Sequence, residues 1–154
     1  MKIKKTIFAP YLMLVFAFIG MATASSDVYA IYNNQLLWCP PPIDGCNIVA
    51  YSPYGRIYGV PLGALGLIFY LIMIVLAALL AYFRSSRRLR SVVLLYAVTG
   101  VLFSTYFFYL DLAFIHAFCI YCLISAILTV LLLLYAIAHF RAPIDGYKLT
   151  TKKG

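Results

Sequence analysis

The sequence contains no glutamate, and its acidic residues are four aspartates, Asp27, Asp44, Asp111 and Asp145. So few carboxyl groups leave little material for catalysis by paired acids or for a site that holds a hard cation through oxygen ligands. Charge of either sign is scarce, at 10% of 154 residues, while hydrophobic residues make up 66%. A soluble domain of this length cannot bury that much apolar surface, so the surrounding medium is lipid. The net charge of +8 does not mark a nucleic-acid surface, because the basic residues sit in short clusters at the ends of apolar runs, where they act as topology signals.

Four apolar runs order the chain. Met1-Lys2-Ile3-Lys4-Lys5 precedes the run Ile7 to Ala24, which is near the lower length for a membrane span, roughly 17–25 residues. The same stretch, with Ala22-Thr23-Ala24-Ser25, also has the form of a signal peptide with a cleavage site. Its length favours a retained helix, and on either reading the loop that follows lies outside. The further spans are expected at residues 60–83, 91–110 and 118–140, with an outer loop over 25–59, all in a single domain over 1–154. Pro61 suits a first helical turn. Gly59, Gly63 and Gly66 would let a neighbouring helix or a flat ligand approach one face, and helix packing alone accounts for them. Gly100 and Ser104 repeat the spacing on the third span.

Lys2, Lys4, Lys5, Arg84, Arg87, Arg88, Arg90, Arg141, Lys148, Lys152 and Lys153 fall on one side of a four-span chain, and only Arg56 falls on the other. The positive-inside rule then makes both termini cytoplasmic. Cys39, Cys46, Cys119 and Cys122 meet on the outer face, where disulfides persist. In the loop, Pro40-Pro41-Pro42 favours extended chain, while Asp44-Gly45 signals a turn that can return Cys46 to within the roughly 4.4–6.8 Å that a disulfide needs between Cα atoms. Tyr29, Ile31, Tyr32, Leu36, Leu37 and Trp38 are expected to hold this loop on the membrane face.

Cys119-Ile120-Tyr121-Cys122 opens the last span. In a first helical turn, the unpaired N–H groups and the helix dipole favour an anion, so Cys119 is expected to be a ready thiolate. Cys122 lies one turn deeper. An exposed pair and an embedded pair suggest electrons moving from soluble thiols through Cys39/Cys46 to Cys119/Cys122, and then to a lipid-soluble, two-electron acceptor such as a quinone. Two bland readings stand beside this one. Cys-x-x-Cys is half of a zinc site, although the loop spacing does not supply the other half, and four cysteines on an outer face can be static disulfides in a non-enzymatic membrane protein. Ser52 either caps the loop or approaches a quinone. Phe69 and Tyr70, and the stretch Phe103, Tyr106, Phe107, Phe108 and Tyr109, either line a quinone or simply pack. His116 reads as an interfacial polar group more readily than as a thiolate partner, and Asp111 as a solvated helix end.

Cys39-x6-Cys46, Ser52 six residues on, Gly59-Val60-Pro61-Leu62-Gly63-Ala64-Leu65-Gly66 with Tyr70, and Phe118-Cys119-Ile120-Tyr121-Cys122-Leu123 occur in this order on a four-span frame. Together they resemble the vitamin K epoxide reductase family in its short prokaryotic form, over Cys39 to about Ala126. The resemblance implies an all-α membrane bundle of four helices around a quinone such as ubiquinone or menaquinone, capped by a loop with a short helical segment. It implies that Cys39 is attacked by a separate thioredoxin-fold thiol oxidase, that Cys46 relays to Cys119, and that Cys122 meets the quinone. Ser52 would hold the loop or bond near the quinone, and a monomer is expected. The animal enzymes carry a tyrosine where this chain has Ala126, and an asparagine near Leu62. These departures favour quinone reduction over epoxide reduction. The four-span disulfide oxidases of the bacterial inner membrane place the two cysteine pairs in the reverse order.

Overall fold

The computed structural model describes residues 2–39, 45–83 and 86–141 and is an all-α membrane bundle. Its long helices are α1 (Lys2–Tyr32), α3 (Leu62–Tyr82), α4 (Arg87–Leu110) and α5 (Ile120–Phe140), and a short α2 (Gly45–Tyr51) lies between the first two. Segments Phe8–Tyr32, Leu62–Tyr82, Arg87–Ile115 and Ile120–Phe140 are each long and apolar enough to cross a bilayer, so the protein is a multi-pass membrane protein. Helix α1 packs on α3 and α5, and α4 packs on α3 and α5, which closes a ring of four.

The helices pack through small residues. Met13, Ala17 and Ala24 of α1, Met73 and Ala77 of α3, Val93 and Ala97 of α4, and Leu132 and Ala136 of α5 form one buried cluster around Tyr70. Gly20 lies directly under the Tyr70 ring and Gly100 under the Phe69 ring, so two aromatic side chains enter the bundle where a neighbouring helix has none. Exposed apolar residues such as Val15, Leu71, Leu95 and Leu134 form the lipid-facing surface. At the end away from the cysteines, buried Arg90 donates from its guanidinium to the His139 carbonyl at 3.3 Å and ties α4 to α5.

Several boundaries differ from those expected. Helix α1 continues through Ser25–Tyr32, which the sequence places in the loop. The Thr23, Ser25 and Ser26 hydroxyls bond back to the carbonyls of Gly20, Met21 and Ala22, so these polar residues satisfy themselves without leaving the helix. Helix α4 starts at Arg87, with Ser86 as N-cap, so part of the expected basic hairpin is helical. Pro61 is the N-cap of α3 and not part of its first turn, because Val60–Pro61 pairs as a short strand, β2, with β1 (Arg56–Ile57). Gly59 belongs to the turn between these strands, at φ +83°, and not to the small-residue face of α3. Gly63 and Gly66 do lie on that face, against Asp27 and Ala24 of α1. The three loop prolines, Asp44, Arg84 and the basic tail from residue 142 lie outside the described residues.

Candidate redox site

All four cysteines belong to a second apolar cluster at one end of the bundle. Ala30, Ile31, Leu37, Cys46, Val49, Ala50, Ala117 and Cys119 form its buried part, with Cys39 and Cys122 packed against it. Cys39 and Cys46 are joined by a disulfide, with their Cα atoms 6.5 Å apart, while Cys119 and Cys122 are free thiols. Helix α2 carries Cys46 into the cluster. Its first residue, Gly45, lies so close to the Phe118 backbone that a Cβ would collide with it, and the Ala117 side chain packs tightly against the same spot. This contact seats Cys46, fully buried, beside the segment that carries Cys119.

The loop before Cys39 is strapped down. The Asn47 side chain accepts the Leu37 amide hydrogen at 2.8 Å and donates to the Leu37 carbonyl at 3.2 Å, in the manner of a neighbouring strand. The Tyr51 hydroxyl donates to the Gln35 carbonyl and the Tyr121 hydroxyl to the Trp38 carbonyl, each at 3.2 Å. Tyr121 stands between the two cysteines of the second pair, so the helix that presents Cys119 also grips the chain next to Cys39. None of these three straps was expected from the sequence. A lone asparagine or tyrosine has no periodicity that could announce a partner 10 or 83 residues away.

Cys119 is the N-cap of α5, one position before the first turn in which it was expected. Its sulfur accepts the Cys122 amide hydrogen at 3.4 Å, as an N-capping side chain does. The Cys122 thiol donates to the same sulfur and holds the Cys119 pKa below the usual thiol range, with help from that amide; burial and the charges of Asp111 and Asp27 act against it. Asp111 is not the solvated helix end expected. It is 4% exposed, its Oδ2 has no partner among the described residues, and its carboxyl group interacts with the Cys122 thiol. The cause is a π-helical turn, Asp111–Ile115, that re-aims the chain after α4 and ends at His116 in left-handed geometry. His116 itself is exposed.

Below the cysteines the bundle opens into a cavity of about 490 Å³. Cys46, Cys119 and Cys122 line it at the cysteine end, together with Gly63, Gly66, Phe69, Tyr70, Tyr96, Phe103, Phe107 and Phe108. Phe69 is stacked on Tyr96, with ring centres 4.9 Å apart, and the Tyr70 hydroxyl meets the Ser125 hydroxyl at 2.8 Å. Phe69 and Tyr70 thus stand at the cavity, whereas Tyr106 and Tyr109 are exposed on the outside of α4. Ser52 does not line the cavity. Its hydroxyl donates to the Val49 carbonyl at 2.8 Å and accepts the Gly55 amide hydrogen at 3.0 Å, fastening the 3-10 turn (Pro53–Gly55) to the end of α2. Among the lining residues that the sequence did not single out as site candidates are Asp27, on α1, and Tyr96, on α4.

The arrangement is suited to thiol–disulfide exchange. A strapped disulfide, a capped nucleophilic thiol and a deeper thiol on an apolar cavity share one end of a membrane bundle. No curated protein matches the chain. The family model described as "Vitamin K epoxide reductase family" matches residues 11–137, most of its length. Membership implies a membrane thiol oxidoreductase, and the chain belongs to the vitamin K epoxide reductase family.

Proposed function

We propose that the protein carries electrons from dithiols outside the cell to a membrane quinone, and so drives disulfide formation in exported proteins. The observation that carries this reading is the position of Cys122, which interacts with Cys119 on one side and lines a largely apolar cavity on the other. A volume of about 490 Å³ is in the range that holds a small ring ligand. Phe69, Tyr70, Tyr96 and the phenylalanines of α4 offer flat surfaces to such a ring, so the residues present fit a quinone such as ubiquinone or menaquinone. Leu62, near the position where the animal enzymes have an asparagine, also lines this cavity, which favours a quinone over an epoxide as substrate.

The relay follows from thiol chemistry. A thioredoxin-fold partner, a separate protein with its own reduced dithiol, attacks Cys39 and leaves oxidised, with Cys39 and Cys46 as thiols. The Cys46 thiolate attacks the Cys119–Cys122 disulfide at Cys119 and frees Cys122; Cys39 then attacks Cys46, which re-forms the Cys39–Cys46 disulfide and releases Cys119. Cys119 and Cys122 are left reduced, and their two electrons pass to the quinone as their disulfide re-forms. A disulfide at Cys39–Cys46 with free thiols at Cys119 and Cys122 is the distribution that precedes this last step. The excess of basic residues at the helix ends away from the cysteines supports an outward-facing site with both termini in the cytoplasm. We take the working unit to be a monomer.

Purified protein, supplied with a dithiol partner and ubiquinone-1 or a short-chain menaquinone, should form quinol and oxidised partner in equal amounts. Replacing any one of the four cysteines should abolish turnover. Full quinone reduction by Cys122→Ser would overturn the relay.

A further inference from the structure

Asp27 is the only carboxyl group among the described residues on the cavity wall. It lies near the cysteine end of the span Phe8–Tyr32, level with the first turn of α3. Its carboxyl group interacts with the Gly63 backbone amide and fills the space that a Cβ at Gly63 would take. Gly63 is in the first turn of α3, whose own N-cap, Pro61, contributes no side-chain bond. Asp27 therefore holds the positive end of a neighbouring helix, an arrangement that stabilises a carboxylate once it has lost its proton.

Several other polar groups on the wall are committed elsewhere. The Tyr70 hydroxyl bonds Ser125, and the Tyr96 hydroxyl donates to the Phe69 carbonyl. The hydroxyls of Thr23, Thr99 and Thr129 donate to carbonyls of their own helices. The bundle thus presents one acid to whatever occupies the cavity, within electrostatic range of Cys119.

We propose that Asp27 is the catalytic acid of the quinone step, donating first a hydrogen bond and then a proton to a quinone carbonyl oxygen in this cavity. The proposal rests on the quinone reading above and deepens it. When the Cys119–Cys122 bond forms, the two thiols give up two electrons and two protons. The electron pair enters the quinone, and its two oxygens take two protons. Asp27, protonated when the quinone enters, supplies one of these and becomes charged only then. The carboxylate left behind is held by the Gly63 N–H and the α3 N-terminus until it regains a proton released by the thiols. The second proton released by the thiols goes to the other oxygen.

The test uses the full chain in lipid nanodiscs with ubiquinone-1 and a short-chain menaquinone. In the oxidised protein, where no reaction occurs, the infrared carbonyl stretch of the bound quinone should be lowered. Asp27→Asn, which keeps a hydrogen-bond donor, should retain the shift, and Asp27→Leu should lose it. In the reduced protein, Asp27→Asn should slow single-turnover quinol formation by about a hundredfold, the ordinary worth of general acid catalysis. Asp27→Glu should recover part of the loss. Asp27→Asn preserves an acceptor for Gly63, so it decides the matter even if Asp27→Leu does not fold. If the unaltered protein neither binds nor reduces either quinone, the quinone reading falls and this proposal with it. If it reduces quinone but Asp27→Asn does so at the same rate, with Asp27→Leu leaving the carbonyl band unmoved, only the role of Asp27 is overturned.

Discussion

The Cys119 sulfur accepts a hydrogen bond from the backbone amide of Cys122, three residues on, and so caps the helix that carries both cysteines. The local fold of the motif and the acidity of its first thiol therefore have one cause. A sulfur that receives the Cys122 amide and thiol hydrogens is better satisfied as an anion.

Alkylation of Cys119 in the reduced protein should accordingly show a pH midpoint below the ordinary thiol value of about 8.5. Cys122→Ala removes the thiol donor, the largest influence on Cys119, and should move that midpoint up. Asp111→Asn removes a nearby negative charge and should move it down. Mass spectrometry of iodoacetamide adducts against pH reads all three, and the same direction of shift in both variants would contradict the assignment.

The seat of α2 on Phe118 controls the exchange between the pairs. Gly45→Ala forces a Cβ into the Phe118 backbone and should destabilise the fold by about 1–3 kcal/mol through overpacking. In the background Cys39→Ser with Cys122→Ser, Cys46 and Cys119 should form a trapped disulfide visible as a gel shift. Adding Gly45→Ala should reduce its yield. An undiminished yield would show that Cys46 reaches Cys119 without this contact.

Asn47 replaces a missing strand beside Leu37. Asn47→Ala leaves the Leu37 amide and carbonyl without their partner and should cost about 1–3 kcal/mol in the cap. Faster hydrogen exchange should appear in residues 35–39, with α3 and α5 unchanged. The Cys39–Cys46 disulfide should then be reduced faster by dithiothreitol. Uniformly faster exchange through the bundle would mean that Asn47 supports the whole fold and not the cap alone.

Tyr70 separates packing from hydrogen bonding in the bundle. Tyr70→Phe loses the bond to Ser125 and should lower stability by about 1 kcal/mol. Tyr70→Ala removes a ring that is 1% exposed and lies on Gly20, and should cost about 3–5 kcal/mol. Thermal melts in one detergent measure both, and equal losses would show that the hydroxyl, not the ring, holds the helices.

Much of the frame of the candidate site was legible because its signals are local or cumulative. Four long apolar runs need no partner to be recognised as spans, and Cys119-Ile120-Tyr121-Cys122 carries its chemistry in a spacing of one helical turn. Phe69 and Tyr70 stand on the cavity wall, and Ser52 is seen fastening the loop. Helix ends were less legible. Ser25 and Ser26 resemble loop residues in a list, yet their hydroxyls bond back into α1 and let it continue to Tyr32.

By itself, the sequence determined that this is a four-span membrane protein of the vitamin K epoxide reductase family with two cysteine pairs. Hydropathy and spacing are additive properties of consecutive residues, so they survive without coordinates. Only the tertiary structure decided that Asp27 meets Gly63 across two helices, that a π-turn buries Asp111 beside Cys122, and that Asn47, Tyr51 and Tyr121 strap the chain before Cys39. Each of these is a single polar contact between distant elements. It depends on the rotation and depth of whole helices, which packing against the rest of the bundle sets and no local pattern encodes.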